Sequence, residues 1–383
     1  MMRLKRFIAV LFIFLGACVD PLKIKLLPET QKFVVDGLIT NDPGPYEVKL
    51  SYSLGFDNTT LKKPPLATGA SVWIYDNFNT VEKLTEISPG SYQTSKTGIR
   101  GIVGREYYIR IKTKSGSEYQ SAPQQLENGG EIKDVSFQFQ NDGLASGGPG
   151  NYVDALKILL DATGNDNGNN LFRWRWNTIF KAETFPGYRL SEIPRTSPVK
   201  YKGAPEPCSG YVSSSGCELT SSIPTRNCAT RIAECTCCVC WPYGYNTAAL
   251  ISHNRIIDGH EFKNVDLGNI PATAMQFHDK YYFKVEQLSL SDEAYAFWNL
   301  VEKQQAAAGS LFQPNSAKVR GNIQSTTDPD EEVLGLFGVS GIARKEMYIT
   351  TDVMPYKLPP IDTITHDCSN SFQNVYASKP TFW

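Results

Sequence analysis

Between Tyr46 and Tyr52 apolar and polar side chains alternate without a break, with Tyr46, Val48, Leu50 and Tyr52 on one side and Glu47, Lys49 and Ser51 on the other. A period of two is the signature of a half-buried strand. Phe33–Ile39, Ala70–Tyr75 and Tyr107–Lys112 read the same way. Asn41-Asp-Pro-Gly-Pro45, Ser88-Pro-Gly90 and Lys114-Ser-Gly-Ser117 punctuate them as turns. Seven or so short strands within about 95 residues predict a β-sandwich of immunoglobulin or transthyretin type over residues 31–127.

Asn128-Gly-Gly130 is the expected linker to a larger β-rich unit over residues 131–383. There Val135–Gln140 alternates, and Asn141–Gly150 reads as a flexible loop. Leu156–Leu160 and Leu171–Phe180 read as two strands of a hairpin. In the second of these, Phe172, Trp174 and Trp176 share one face while Arg173, Arg175 and Asn177 share the other. Residues 185–248 show little periodicity and are rich in Pro, Ser and Cys, which predicts an irregular, covalently stapled insertion. Asp258-Gly259 suits a hairpin turn, and Tyr281–Glu286 a strand. A helix is predicted over residues 291–308, with Ser291 as its cap and Asp292 and Glu293 in its first turn. Ala294, Phe297, Trp298 and Val301 form its apolar stripe. Val319–Ile323, Val333–Val339 and Glu346–Thr350 complete the predicted strands. The fold class is therefore mainly β, with one amphipathic helix and a Cys-rich insertion.

The amino-terminal end follows a different pattern. Arg3, Lys5 and Arg6 precede the nine-residue apolar run Phe7–Leu15, which is too short to span a bilayer and suits the core of a secretory signal over residues 1–17. Leu15-Gly16-Ala17-Cys18 matches a bacterial lipobox, with small residues ahead of a thiol that accepts a diacylglycerol. Cys18 is thus the expected lipidation site, and residues 18–30 the lipidated tether. Acyl chains at about 0.8 kcal/mol per buried CH₂ would hold the chain on a membrane. Removing the signal takes 38 basic side chains to 35 against 39 acidic ones. That balance argues against a nucleic-acid partner.

Export also sets the reading of the nine cysteines. With Cys18 lipidated, eight remain: Cys208, Cys217, Cys228, Cys235, Cys237, Cys238, Cys240 and Cys368. Disulfides are the default in an oxidising compartment, and eight cysteines allow 105 pairings. If Cys368 joins the cluster, it ties the carboxy-terminal tail to the insertion. Overlapping C-x-x-C spacings at Cys235–Cys238 and Cys237–Cys240 keep a zinc reading open, although a zinc site needs two separate knuckles.

No metalloprotease, P-loop, nucleophile-elbow or dinucleotide signature is present. Gly338-Val-Ser-Gly341 reads as a buried strand and turn. His253 and His260 flank the Asp258-Gly259 turn and suit a surface hairpin better than a metal site. Asp161–Asn170 is oxygen-rich but lacks the acidic spacing of a calcium loop, and Asp328–Glu332 reads as a solvated acidic loop. Trp174, Trp176 and Trp241 suit either a sugar-stacking platform or core packing. No cofactor, metal or catalytic residue is expected.

Phe33-Val-Val-Asp-Gly-Leu-Ile-Thr40, Pro45–Ser51, Cys235-Thr-Cys-Cys-Val-Cys-Trp241 and Leu290–Tyr295 with Phe297-Trp298 form an ordered series. It continues through Gly309–Pro314, Arg320-Gly-Asn322 and Leu334-Gly-Leu-Phe-Gly338. The series resembles an uncharacterised lipoprotein family of Bacteroidota, domain of unknown function 4249. The resemblance implies an outer-membrane lipoprotein that accompanies a TonB-dependent transporter barrel. Val19–Lys25 carries one acid and two bases, where surface-exported lipoproteins of that phylum usually carry an acidic run, so the membrane face stays open. The expected function is that of a non-enzymatic, lipid-anchored binding or accessory protein. The rivals are a glycan or peptide hydrolase without a motif and a structural subunit of an envelope assembly.

Overall fold

A computed structural model describes residues 31–54, 63–146, 148, 150–164, 170–187, 205–213, 229–253, 260–307, 319–361 and 364–383. The signal, Cys18 and tether lie outside the described residues, as do Cys217, Cys228 and the Asp258-Gly259 turn. The first strands are β1 (Phe33–Thr40), β2 (Glu47–Tyr52), β3 (Ser71–Asp76), β4 (Val81–Lys83), β5 (Thr85–Ser88), β6 (Ser91–Gln93), β7 (Glu106–Lys112), β8 (Glu118–Ser121) and β9 (Gln124–Gln125). Next come β10 (Glu131–Ala145), β11 (Tyr152–Thr163), β12 (Phe172–Phe180), β13 (Ala182–Glu183), β14 (Tyr211–Ser213), β15 (Ala229–Arg231), β16 (Val239–Tyr245), β17 (Leu250–Ile251), β18 (Glu261–Pro271) and β19 (Tyr281–Ser289). Helix α1 (Asp292–Ala307) is followed by β20 (Ile323–Ser325), β21 (Leu334–Ser340), β22 (Ile342–Ile349), the single turn α2 (Cys368–Ser371) and β23 (Val375–Tyr376).

The chain is mainly β, as predicted. Two sheets, β21-β1-β2-β6-β5 and β20-β8-β7-β3-β4 with β9 on β7, share a first core. The alternation read in the sequence fills it: Val35, Val48, Leu50, Val72, Ile74 and Ile109 are all fully buried. Two further sheets, β10-β11-β18 and β13-β16-β12-β19-β22, share a second core built on Leu156, Ile158, Phe172, Trp174, Phe283 and Val285. Helix α1 starts with the Ser291 hydroxyl accepting from the Ala294 amide at 3.1 Å. It lays Ala294, Phe297 and Trp298 against Ile251, Leu290 and Leu336.

Several expectations need correction. The strands β11 and β12 are not a hairpin: they belong to different sheets and meet across the second core. Residues 141–145, expected as loop, continue β10 past a register shift between Gln140 and Leu144. The Cys-rich insertion ends sooner than residue 248, because β16 is a strand of the large sheet; Pro242 and the glycine and cysteine around it hide its alternation. The acidic run is pinned as well as solvated, since Glu331 accepts from the Tyr119 hydroxyl at 2.8 Å and Glu332 pairs with Lys32 at 3.0 Å. The expected division at residues 128–130 is crossed by the far end of the chain. Strand β21 runs parallel to β1 from Val34↔Leu334 to Thr40↔Ser340, and β20 pairs with β8.

Strand β21 then passes through Gly341 into β22, which pairs with β19 in the large sheet. At that step the backbone meets the 127–130 crossing with no room between. A Cβ on Gly341 would lie 2.1 Å from the Glu127 oxygen and 2.5 Å from the Gly129 nitrogen, and a Cβ on Gly129 would lie 2.8 Å from the Ala343 nitrogen. Buried side chains satisfy the polar groups trapped there, as buried backbone requires. The Ser289 hydroxyl donates to the Glu127 carbonyl at 3.0 Å and accepts from the Gly341 amide at 2.8 Å. The Gln287 side-chain amide donates to the carbonyls of Gly129 and Thr163, while its oxygen accepts from the Trp174 indole at 2.8 Å. Overpacking a site of this kind costs about 1–3 kcal/mol or more. Gly341→Ala is therefore expected to lower unfolding stability by at least about 2 kcal/mol in a urea titration; an unchanged midpoint would refute the crossing as a constraint.

Candidate functional site

The insertion is stapled as the sequence predicts. Cys208 is bonded to Cys237, Cys235 to Cys238, and Cys240 to Cys368. The C-x-x-C pair at Cys235 and Cys238 closes on itself, so those sulfurs are not zinc ligands. Among the described residues, no three His, Cys, Asp or Glu side chains converge as a metal site. His253 faces Glu302 at 3.1 Å and His260 faces Asn170 at 2.7 Å, so the two histidines turn to different partners.

The Cys240–Cys368 bond spans 128 residues and anchors the tail on the edge of the large sheet. Cys240, Cys368, Ala182 and Phe372 share a small core there. Beyond it Trp241 and Pro242 pair with Tyr376 and Val375, and the Tyr243 amide donates to the Asn374 carbonyl at 3.0 Å. The Asp367 carboxylate, held below its usual range by hydrogen bonds from Ser369 and Asn370 that outweigh its burial, caps the α2 turn.

This tail forms one wall of a groove of about 1180 Å³. The other walls are the free ends of β10 and β11, the segment after β18, and strands β12 and β16. Tyr152 stands exposed on the rim, Tyr243, Phe180 and Phe372 give aromatic surface, and Gln276, Gln373 and Asn374 give amides. Among the described residues, no lysine, arginine or histidine lines it. Of its two carboxylates, Asp154 is already engaged: it accepts from the Tyr356 hydroxyl and from the Asp142 amide, which hold its pKa below the usual carboxylate range. The surface is thus aromatic and amide-rich, with two carboxylates and no described cation beside them. It suits an extended neutral ligand or partner segment held by stacking and hydrogen bonds.

The tryptophan platform is not assembled. Trp174 is buried in the second core with its indole N–H on Gln287. Trp176 packs on the same core and donates to the Leu267 carbonyl at 2.8 Å. Trp241 lies apart, with Ile179, Tyr282 and the terminal Trp383. All three indoles serve packing, which burial of a large apolar ring favours. The groove residues come from five separate segments, and the pairing of Cys368 with the cluster was the one sequence signal that pointed to them.

On the opposite face of β12, a charge cluster surrounds Glu286. Its buried carboxylate lies 2.6 Å from Arg175, 3.1 Å from Lys284 and 3.6 Å from Arg344. Burial pushes this carboxyl up, but Arg175 and Lys284 outweigh it and its pKa is lowered.

Fold and site together define a disulfide-stapled, multi-sheet β protein with an open, aromatic groove. The chain belongs to the family Domain of unknown function (DUF4249), whose profile matches residues 19–346. That span includes both sides of the Gly129–Gly341 crossing. No curated protein matches the chain.

Two outcomes follow from this geometry. Replacing Cys240 and Cys368 together by serine should cost about 2–5 kcal/mol of stability and open residues 354–383 to limited proteolysis; equal stability and equal protection would refute the tether. Glu286, with its lowered pKa, contributes stability above the ordinary glutamate range that disappears as pH falls through the folded-state pKa. Glu286→Gln should therefore melt lower at pH 7, and the gap to the unaltered protein should close on acidification below about pH 4. A gap that persists unchanged in acid would overturn that assignment.

Proposed function

We propose that this protein is a non-enzymatic, lipid-anchored binding or accessory protein of the outer membrane. It works beside a TonB-dependent transporter barrel. The aromatic, amide-rich groove beneath the tethered tail carries this reading, because it offers recognition chemistry without an activated acid, base or nucleophile among the described residues. Among the described residues, every carboxyl with a displaced pKa is displaced downward, including Asp154 in the groove, Asp266 and Glu286. A glycosidase general acid needs the opposite displacement. The lipobox at Cys18 supports attachment through acyl chains, and no helix among the described residues is long and apolar enough to cross a membrane. Anchoring on one leaflet raises the effective concentration of chain and barrel for each other. In this reading the first two sheets act as spacer, and the groove meets an extended uncharged segment of the barrel complex.

Affinity purification from gently solubilised membranes tests this. The lipidated chain is expected to carry a barrel protein with it in near-equal amount, and Tyr152→Ala combined with Tyr243→Ala should cut that yield by about tenfold, the effect of losing one or two aromatic anchors. Recovery of the chain without any barrel, or undiminished recovery with the double variant, would sink the proposal.

A further inference from the structure

A second cavity lies far from the groove in character, where β1, β21, β12, β19 and α1 meet. It encloses about 280 Å³, and Leu288, Leu290, Phe297, Trp298 and Leu336 make its walls apolar. Gly338 helps keep it open, since a Cβ there would press on Leu38 at 3.1 Å. Asp36, Arg173 and Arg175 also line it, and the two arginines border a neighbouring polar hollow of about 360 Å³ with Asn177, Tyr245, Asn246 and Lys284. Two guanidinium groups therefore stand at the boundary between an apolar chamber and a polar vestibule. The period-two geometry of β12 puts them on one face, away from the Trp174 core.

The two arginines are not equivalent. Arg175 gives its Nε to Glu286 at 2.6 Å. The Arg173 side chain makes no hydrogen bond or ion pair with any described residue, and its Nε is buried without an acceptor. Its guanidinium carbon lies over the Trp298 ring, 3.5 Å from the centroid. Other acidic groups nearby do not serve it. Glu286 is shared among Arg175, Lys284 and Arg344, and Asp42 is taken by Arg344. Asp36, on the facing strand β1, attracts Arg173 at a distance without closing an ion pair. Burial, with repulsion from Arg175 behind it, pulls the Arg173 pKa down to about 10 against the opposing pull of Asp36. Buried donors in folded proteins nearly always have an acceptor. An arginine fork that lacks one, lining an apolar chamber, is shaped for a carboxylate that arrives with its own apolar tail.

We propose that this junction binds a medium-chain amphiphilic carboxylic acid, its carboxylate on Arg173 and its tail in the chamber formed by Leu288, Leu290, Phe297 and Leu336. The tail is bounded by the cavity, which sits at the lower end of the range of about 300–1,000 Å³ usual for small-molecule sites. Tail burial supplies affinity and the guanidinium supplies selection for the ionised acid. The site is independent of the groove and of any transporter.

Calorimetric titration of the full chain in lipid nanodiscs, with empty nanodiscs as the blank, tests the proposal using octanoate and octan-1-ol as probes. Octanoate should bind once per chain, and octan-1-ol more weakly by about tenfold or more, as expected for loss of a charge-assisted bond. Arg173→Met should weaken octanoate to the level of the alcohol and leave the alcohol unchanged. Arg173→Lys, which keeps the charge and the fold but not the fork, should fall between them. If acid and alcohol bind alike, or if neither binds, Arg173 is only a brace holding α1 through Trp298 and the proposal fails. It fails equally if Arg173→Met or Arg173→Lys retains the full preference for the acid.

Discussion

Two passes of the chain touch backbone to backbone at Gly129 and Gly341, and everything else in the architecture is arranged around that contact. One pass leads from the first pair of sheets into the second. The other returns from α1 through β21, which completes the first sheet, and continues into β22, which completes the large sheet. Both cores therefore share a single covalent strand, and neither can shift without pulling β21 or β22 out of register. Close approach of this kind excludes water, so the polar groups at the crossing must be satisfied by protein. Gln287 and Ser289 do this from β19, Asn41 accepts from the Ile342 amide, and Asn322 pairs with both the amide and the carbonyl of Phe337. Four side chains from distant segments make the crossing a junction rather than a hinge.

That rigidity explains how charge can be segregated on a nearly neutral molecule. The face of β12 and β19 that looks toward the first sheet carries Arg173, Arg175, Lys284 and Glu286 within a few ångströms of one another. Holding several cations around one buried carboxylate is costly unless geometry keeps each hydrogen bond in place. The junction supplies this geometry, because β1 and β21 are fixed against the same face. The groove, on the far side of the large sheet, has no basic side chain among its described lining residues. One scaffold thus carries two chemically distinct hollows, one lined by arginines and apolar side chains, the other by aromatic rings, amides and two carboxylates.

Much of this was legible in the sequence where local physics decides. Alternation located β1, β2, β3, β7 and β12 to within a residue or two, and Ser291 with its acidic first turn located α1. The family was legible as well, from the order of its segments. Pairing between distant strands was not legible. The parallel match of Leu334–Ser340 to Val34–Thr40 leaves no trace in either segment, since both simply read as buried strands. Leu156–Leu160 and Leu171–Phe180 looked like a hairpin because they are neighbours in sequence, yet the short connection carries the chain from one sheet to the other. The tryptophans on β12 were read as core or platform, and burial made them core. Their polar neighbours Arg173 and Arg175, noted only as the opposite face, proved the more informative half of the alternation.

The tail shows why covalent bonds appear where they do. Strand β23 has two residues and α2 one turn, too little regular structure to hold some thirty residues against a sheet. Hydrogen bonds of this number contribute only about 0.5–1.5 kcal/mol each, comparable to the backbone entropy lost per ordered residue. The Cys240–Cys368 bond removes much of that entropy from the unfolded chain, on the loop-closure account. The shape of the groove is then coupled to the oxidation state of one cysteine pair. Reduction would leave Phe372, Gln373 and Asn374 held by the packing of Phe372 on Phe180 and by a few backbone bonds.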